Sequence, residues 1–124
     1  MAQLEKRIYA VLTGYTGVSA LVGTRVYPLV LPQKCTFPAI SYLRVSGGQQ
    51  MNLSGYSRLE APRIQVDAWA ESYGQAKDLA AAIRAALLSA TDFKVSDISD
   101  RDLFEDSSAL FRVSTDFTVW HRDT

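Results

Sequence analysis

One cysteine and one histidine in 124 residues leave little from which metal or redox chemistry could be built. The lone Cys35 cannot close an intrachain disulfide, which suits a reducing cytoplasm, and with His121 it is too few ligands for a tetrahedral zinc site. As a nucleophile Cys35 would need His121 beside it, yet the two lie far apart in the chain; the plainer reading is a small half-buried residue. An excess of charge is missing too. Thirteen basic and thirteen acidic side chains cancel, so the chain lacks the overall field of a general nucleic-acid binder. No apolar run approaches the ~20 residues that cross a bilayer, and the opening MAQLEKRIYAVL interleaves charges with apolar residues, so it reads as neither signal peptide nor anchor. The patterns G-x-G-x-x-G, G-x-x-x-x-G-K, H-E-x-x-H, C-x-x-C and G-x-S-x-G do not occur, which argues against an enzyme and leaves no cofactor to expect.

What the chain does have is apolar patterning. With 124 residues and 48% hydrophobic composition it is expected to form one domain, residues 1–124, burying roughly two-thirds of its unfolded surface. Its organising stretch is RIQVDAWAESYGQAKDLAAAIRAALL, residues 63–88. Ile64, Val66 and Ala68 alternate with Gln65, Asp67 and Trp69, the pattern of a strand with one apolar row. Ser72 and Gln75 have the spacing of a capping box, and Ala76, Leu79, Ala80, Ile83 and Leu87 then form a helical stripe. The stripe should lie on the apolar row, leaving Lys77, Asp78 and Arg84 in water.

Elsewhere, Leu4, Ile8, Val11, Leu12 and Tyr15 predict an amphipathic helix over residues 3–13, stopped at Gly14. Residues 18–22 read as a short helical turn and 25–29 as extended. Pro28, Pro32 and Pro38 cannot donate to a sheet ladder, so residues 28–38 are an edge or a crossing loop. AISYLRV, residues 39–45, is a strand by its β-branched and aromatic content. Residues 46–60, SGGQQMNLSGYSRLE, read as a long mobile loop or a loose hairpin tip. Met51, Leu53 and Tyr56 there either fold back on the sheet or order on contact with a partner. Residues 93–98 read as a short strand, and 97–106, DISDRDLFED, as a solvated acidic loop or charged contact face, because the glycine and terminal glutamate of a calcium loop are missing. Residues 109–121 alternate most cleanly: Phe111, Val113, Thr115, Phe117 and Val119 on one side, Leu110, Arg112, Ser114, Asp116, Thr118 and Trp120 on the other. Such a strand would run about 40 Å at ~3.3 Å per residue, against a compact diameter of about 35 Å. It must bend, end early or project.

The residues offer few openings for chemistry. Asp67 beside Trp69 can be imagined as a buried catalytic acid; the plainer reading puts Gln65, Asp67 and Trp69 on the sheet face away from the helices. Tyr42, Arg44 and Arg112 could line an RNA-binding sheet, but the aromatic-rich signature of such sheets is missing.

Nearly the whole chain, from about Leu4 to Arg122, resembles the phage tail-completion family, proteins also called tail terminators or head-tail joining proteins. Four stretches carry the resemblance: LEKRIYAVLTG with VSALVGTRVYPLVLPQ, FPAISYLRVSG, RIQVDAWAESYGQAKDLAAAIRAAL, and RDLFEDSSALFRVSTDFTVWHR. It implies an α+β fold, a mainly antiparallel curved sheet of about four strands with two main helices packed on one face. It further implies no enzymatic activity, and a ring, commonly hexameric, in the virion tail. That ring ends the tail tube, stops tube polymerisation, faces the head connector and lets DNA pass its lumen without specific binding. Assembly would take place in the cytoplasm of the bacterial host, from a chain that is monomeric when isolated. A head-completion or connector adaptor would use the same features, and a small ligand-binding or enzymatic α+β domain is the alternative from another class.

The interface expectations come from the residues. Arg58 and Arg63 can face the acidic Asp100, Asp102 and Glu105 of a neighbouring copy in a head-to-tail contact. Met51, Leu53 and Tyr56 can meet the tube or connector, and Asp67 with Trp69 marks an oligomer or lumen face.

Overall fold

Helix formation starts at once. The computed structural model describes residues 3–46, 49–52 and 55–122, beginning with α1 (Gln3–Gly14), whose Leu4, Ile8 and Leu12 recur every four residues and are all buried. Helix α2 (Thr16–Val22) buries Val18 and Val22, and Gly23 turns the chain out of it at φ 59, a region that costs glycine little. After β1 (Val26–Pro28) and β2 (Ala39–Ser46) come β3 (Gln49–Asn52), β4 (Gly55–Glu60) and β5 (Arg63–Ala70). Helix α3 (Tyr73–Ser89), β6 (Lys94–Glu105) and β7 (Leu110–Arg122) complete the chain.

The strands form an open five-stranded sheet in the order β1-β2-β5-β7-β6, and the β3–β4 hairpin joins it where Leu59 and Glu60 pair with Arg122 and His121. All pairings are antiparallel except β1 with β2, which run parallel. The sheet is therefore mixed and has one strand more than expected. Both corrections have a cause. Strand β1 has three residues and closes at Pro28, too short to show periodicity, and its direction is set by the long connection to β2, which local sequence does not encode.

Helices and sheet meet along the expected rows. Ile64, Val66 and Ala68 of β5, Val113, Phe117 and Val119 of β7, and Ala76, Leu79, Ile83, Ala86 and Leu87 of α3 form one buried cluster with α1 and α2. The α3 cap is half of the expected box: Ser72 Oγ accepts from the Gln75 N–H at 3.2 Å. No return bond from the Gln75 side chain forms among the described residues.

Two segments differ from their sequence readings. Residues 97–105 are not a loop; they continue β6, paired with β7 from Glu105↔Leu110 back to Ser99↔Asp116, and Asp106 begins the turn that follows. A bulge hides this in the sequence: the register shifts between Ser96 and Ser99, with Asp97 at φ 54. The extra residue interrupts period-two alternation, and an outer strand needs little apolar content. Residues 49–52 and 55–60 take the hairpin alternative, with Met51 opposite Tyr56 and Asn52 opposite Gly55, while residues 47–48 and 53–54 lie outside the described residues. Strand β7 keeps its length and does not end early: it pairs β5 from Phe111 to Thr118 and β6 from Leu110 to Trp120, then runs on to β4. No helix among the described residues is long and apolar enough to cross a membrane.

Candidate functional site

Because the helices cover one side of the sheet, the alternate residues of each strand stand on a face that no described helix covers. On β5 these are Gln65, Asp67 and Trp69, beside Ser41 of β2 and Arg112, Ser114, Asp116 and Thr118 of β7. Asp67 is nevertheless 4% exposed. It sits in mid-sheet under longer neighbours. Its carboxylate accepts from Gln65 Nε2 at 3.1 and 3.0 Å and lies 3.3 Å from Arg112 Nη1. Arg112 also reaches Glu105 at 2.8 Å and stacks its guanidinium 4.9 Å from the centre of the Trp69 ring. Trp69 Nε1 in turn donates to Ser41 Oγ at 2.9 Å. The result is a chain of polar contacts across β2, β5, β7 and β6, in which Arg112 Nε is left without a partner among the described residues, and it presents a charged and aromatic surface in place of an apolar one.

A second group anchors the bulge. Arg63 pairs with Asp116 at 2.9 Å and donates to Thr118 Oγ1 at 2.9 Å and to the Asp97 carbonyl at 3.3 Å. One guanidinium thus ties β5 and β7 to the irregular turn of β6.

The acidic residues Asp100 and Asp102 stand on the opposite, helix-facing side. Asp102 accepts from the Tyr73 hydroxyl at 2.6 Å and from Lys77 at 3.2 Å, and Asp100 pairs with Arg84 at 3.3 Å. The Tyr73 hydrogen bond, followed by Lys77, holds the Asp102 carboxyl below the usual carboxylate range, and the same contacts hold Tyr73 and Lys77 above theirs. Beside this cluster Phe104 packs on Phe111 at 4.8 Å between ring centres, and Tyr73 meets Phe111 edge-on at 6.1 Å.

The interface residues named from the sequence are therefore distributed. Asp67, Trp69, Arg63 and Glu105 share the helix-free face, while Asp100 and Asp102 lie behind it and are already paired within the chain. Met51, Tyr56 and Arg58 belong to the hairpin strands, and Leu53 lies outside the described residues. Tyr42, Arg44 and Arg112 are not brought together: Tyr42 is buried on the helix side, Arg44 pairs there with Glu5 at 3.4 Å, and Arg112 is on the other face. This separates the residues of the RNA-binding alternative. Phe104 and the Ser41–Trp69 bond were not anticipated. The strand assignment of residues 97–105 would have exposed the first; the second joins residues 28 apart and leaves no local signal.

Comparison with known proteins places this architecture. No curated protein matches the sequence. A chain in a solved structure of the virion of a native gene transfer agent particle is similar at a TM-score of 0.77 and 19% identity, over 97% of this chain and 95% of that one. The likeness establishes a common fold. The sequence itself matches the family described as tail completion protein gp17 over residues 6–122, which spans every element from α1 to β7. The chain belongs to the tail completion protein gp17 family.

Proposed function

We propose that this chain is a non-enzymatic tail-completion protein that assembles as a ring, hexameric in the commonest form, on the end of a phage-type tail tube. There it halts tube polymerisation and offers the surface that the head connector meets. The family match over residues 6–122 carries this reading. The fold supports it, because an open sheet with two dissimilar edges suits head-to-tail contacts between identical copies. The helix-free face, with its charges paired in place, suits a wall along which DNA passes, since it offers few free cations to hold phosphates. The hairpin β3–β4, which among the described residues pairs with the rest of the sheet at the end of β7, is the element assigned to the tube or connector. Assembly takes place in the host cytoplasm, and the finished protein resides in the virion tail.

Negative-stain microscopy of the purified protein mixed with tail tubes tests this. A cap on one tube end is expected. Binding to portal-bearing heads and not to tubes would instead make the chain a connector adaptor.

A further inference from the structure

Two apolar surfaces lie at opposite edges of the five-stranded sheet, both on its helix side. At the β6 edge Phe104 is 52% exposed and Tyr73 51% exposed, standing beside Phe111. Two residues past Phe104, the exposed Asp106 pairs with no described residue. At the β1 edge Lys6, Tyr9, Pro28 and Tyr42 enclose a hollow of about 300 Å³, at the small end of the ~300–1,000 Å³ typical of binding pockets. Leu29 and Val30, 68% and 75% exposed, follow directly from Pro28. Lys6 pairs with no described residue. Burial raises the Tyr42 hydroxyl's pKa, with Tyr9 and Glu5 adding to it, so the floor of the hollow stays neutral.

We infer that Phe104 of one copy of this chain seats in the Tyr9–Pro28 hollow of the next, with Asp106 of the first paired to Lys6 of the second. The occupant is a second copy because the two patches complement each other in charge and share apolar character. One edge supplies an aromatic knob with a spare carboxylate, and the other an apolar hollow with a spare ammonium. Most other charges near the knob are spent within the chain: Asp100 on Arg84, Asp102 on Lys77, Glu105 on Arg112. The contact joins unlike patches, so each copy still offers one knob and one hollow after pairing. Repetition around an axis closes a ring. Burying the exposed aromatic supplies affinity, and the ion pair sets the register.

This inference rests on the ring reading and specifies its contact. The test is a disulfide ladder. In a Cys35→Ser background, Leu29→Cys and Ser107→Cys, which flank the hollow and the knob and leave Tyr9 and Phe104 in place, are put in one chain, oxidised with copper–phenanthroline with and without tail tubes, and separated on denaturing gels. A ladder of covalent multimers is expected from the doubly substituted chain. An equimolar mixture of the two singly substituted chains should stop at dimers. Lys6→Glu or Asp106→Lys added alone should reduce the ladder several-fold, and the two together should restore it. Circular dichroism checks that each variant folds, as the exposure of all four positions leads one to expect. Tube ends that are capped while no ladder forms would overturn this contact and leave the ring reading standing. A ladder without caps would support the contact and overturn tube termination. Neither caps nor ladder would overturn both.

Discussion

The two rows of β5 are held by opposite kinds of physics. Ile64, Val66 and Ala68 are buried against α3 and take their stability from removing apolar area from water. Gln65, Asp67 and Trp69, one residue out of phase, are held by hydrogen bonds, an ion pair and a stacked guanidinium on the side that no described helix covers. A single strand thus separates the part that makes the domain fold from the part that ties a polar face together without leaving it sticky.

Mutations sharpen that contrast. Ile64→Ala should cost the most, about 3 kcal/mol in urea unfolding, from lost transfer energy plus a cavity. Arg112→Ala should follow at about 2 kcal/mol, because it strands the buried Asp67 carboxylate and frees Trp69; Arg112→Lys should recover only part, since an ammonium cannot bridge Asp67 and Glu105 as a fork does. Trp69→Ala should cost about 1 kcal/mol, for one hydrogen bond and one stacking contact. A Trp69→Ala loss equal to that of Ile64→Ala would break the comparison and make the helix-free face a second core. The helix-side edge adds a smaller effect with a definite sign. Asp102 has a lowered folded-state pKa, so its contribution is complete above the unfolded value of ~3.9 and is lost as the pH falls through the folded value. Thermal midpoints measured downward from pH 5 should therefore fall less steeply for Asp102→Asn than for the parent chain. Least of all should be the effect of deleting residues 49–55. The unfolding midpoint should barely move, while tail completion in a complementation assay should fail; infectious particles from that deletion would remove the hairpin from the assembly role.

The sequence disclosed what repeats locally. The β7 alternation from Phe111 to Val119, the Ser72 cap and the α3 stripe follow from one residue's spacing to the next, and each stands where that spacing puts it. It also told the two faces apart, since Gln65, Asp67 and Trp69 could not share a row with Ile64. What stayed hidden depends on distance or on a local exception. The Asp67–Arg112 pair joins residues 45 apart. The parallel β1–β2 pairing is decided by the path of the chain through residues 29–38. Strand β6 was concealed by one residue, Asp97, whose left-handed backbone shifts the register and splits a twelve-residue strand into an apparent strand and an apparent loop.

That same bulge has a consequence for life at high concentration. Proteins with open sheets risk recruiting one another strand by strand into fibres, as every free edge carries unmet N–H and C=O groups. Here one edge is three residues long and ends in proline, and the other is studded with carboxylates and dislocated at Asp97. Neither is a template for backbone recruitment. At these two edges, copies at high concentration are left to meet through side chains, in encounters that reverse, which works against hardening into an aggregate.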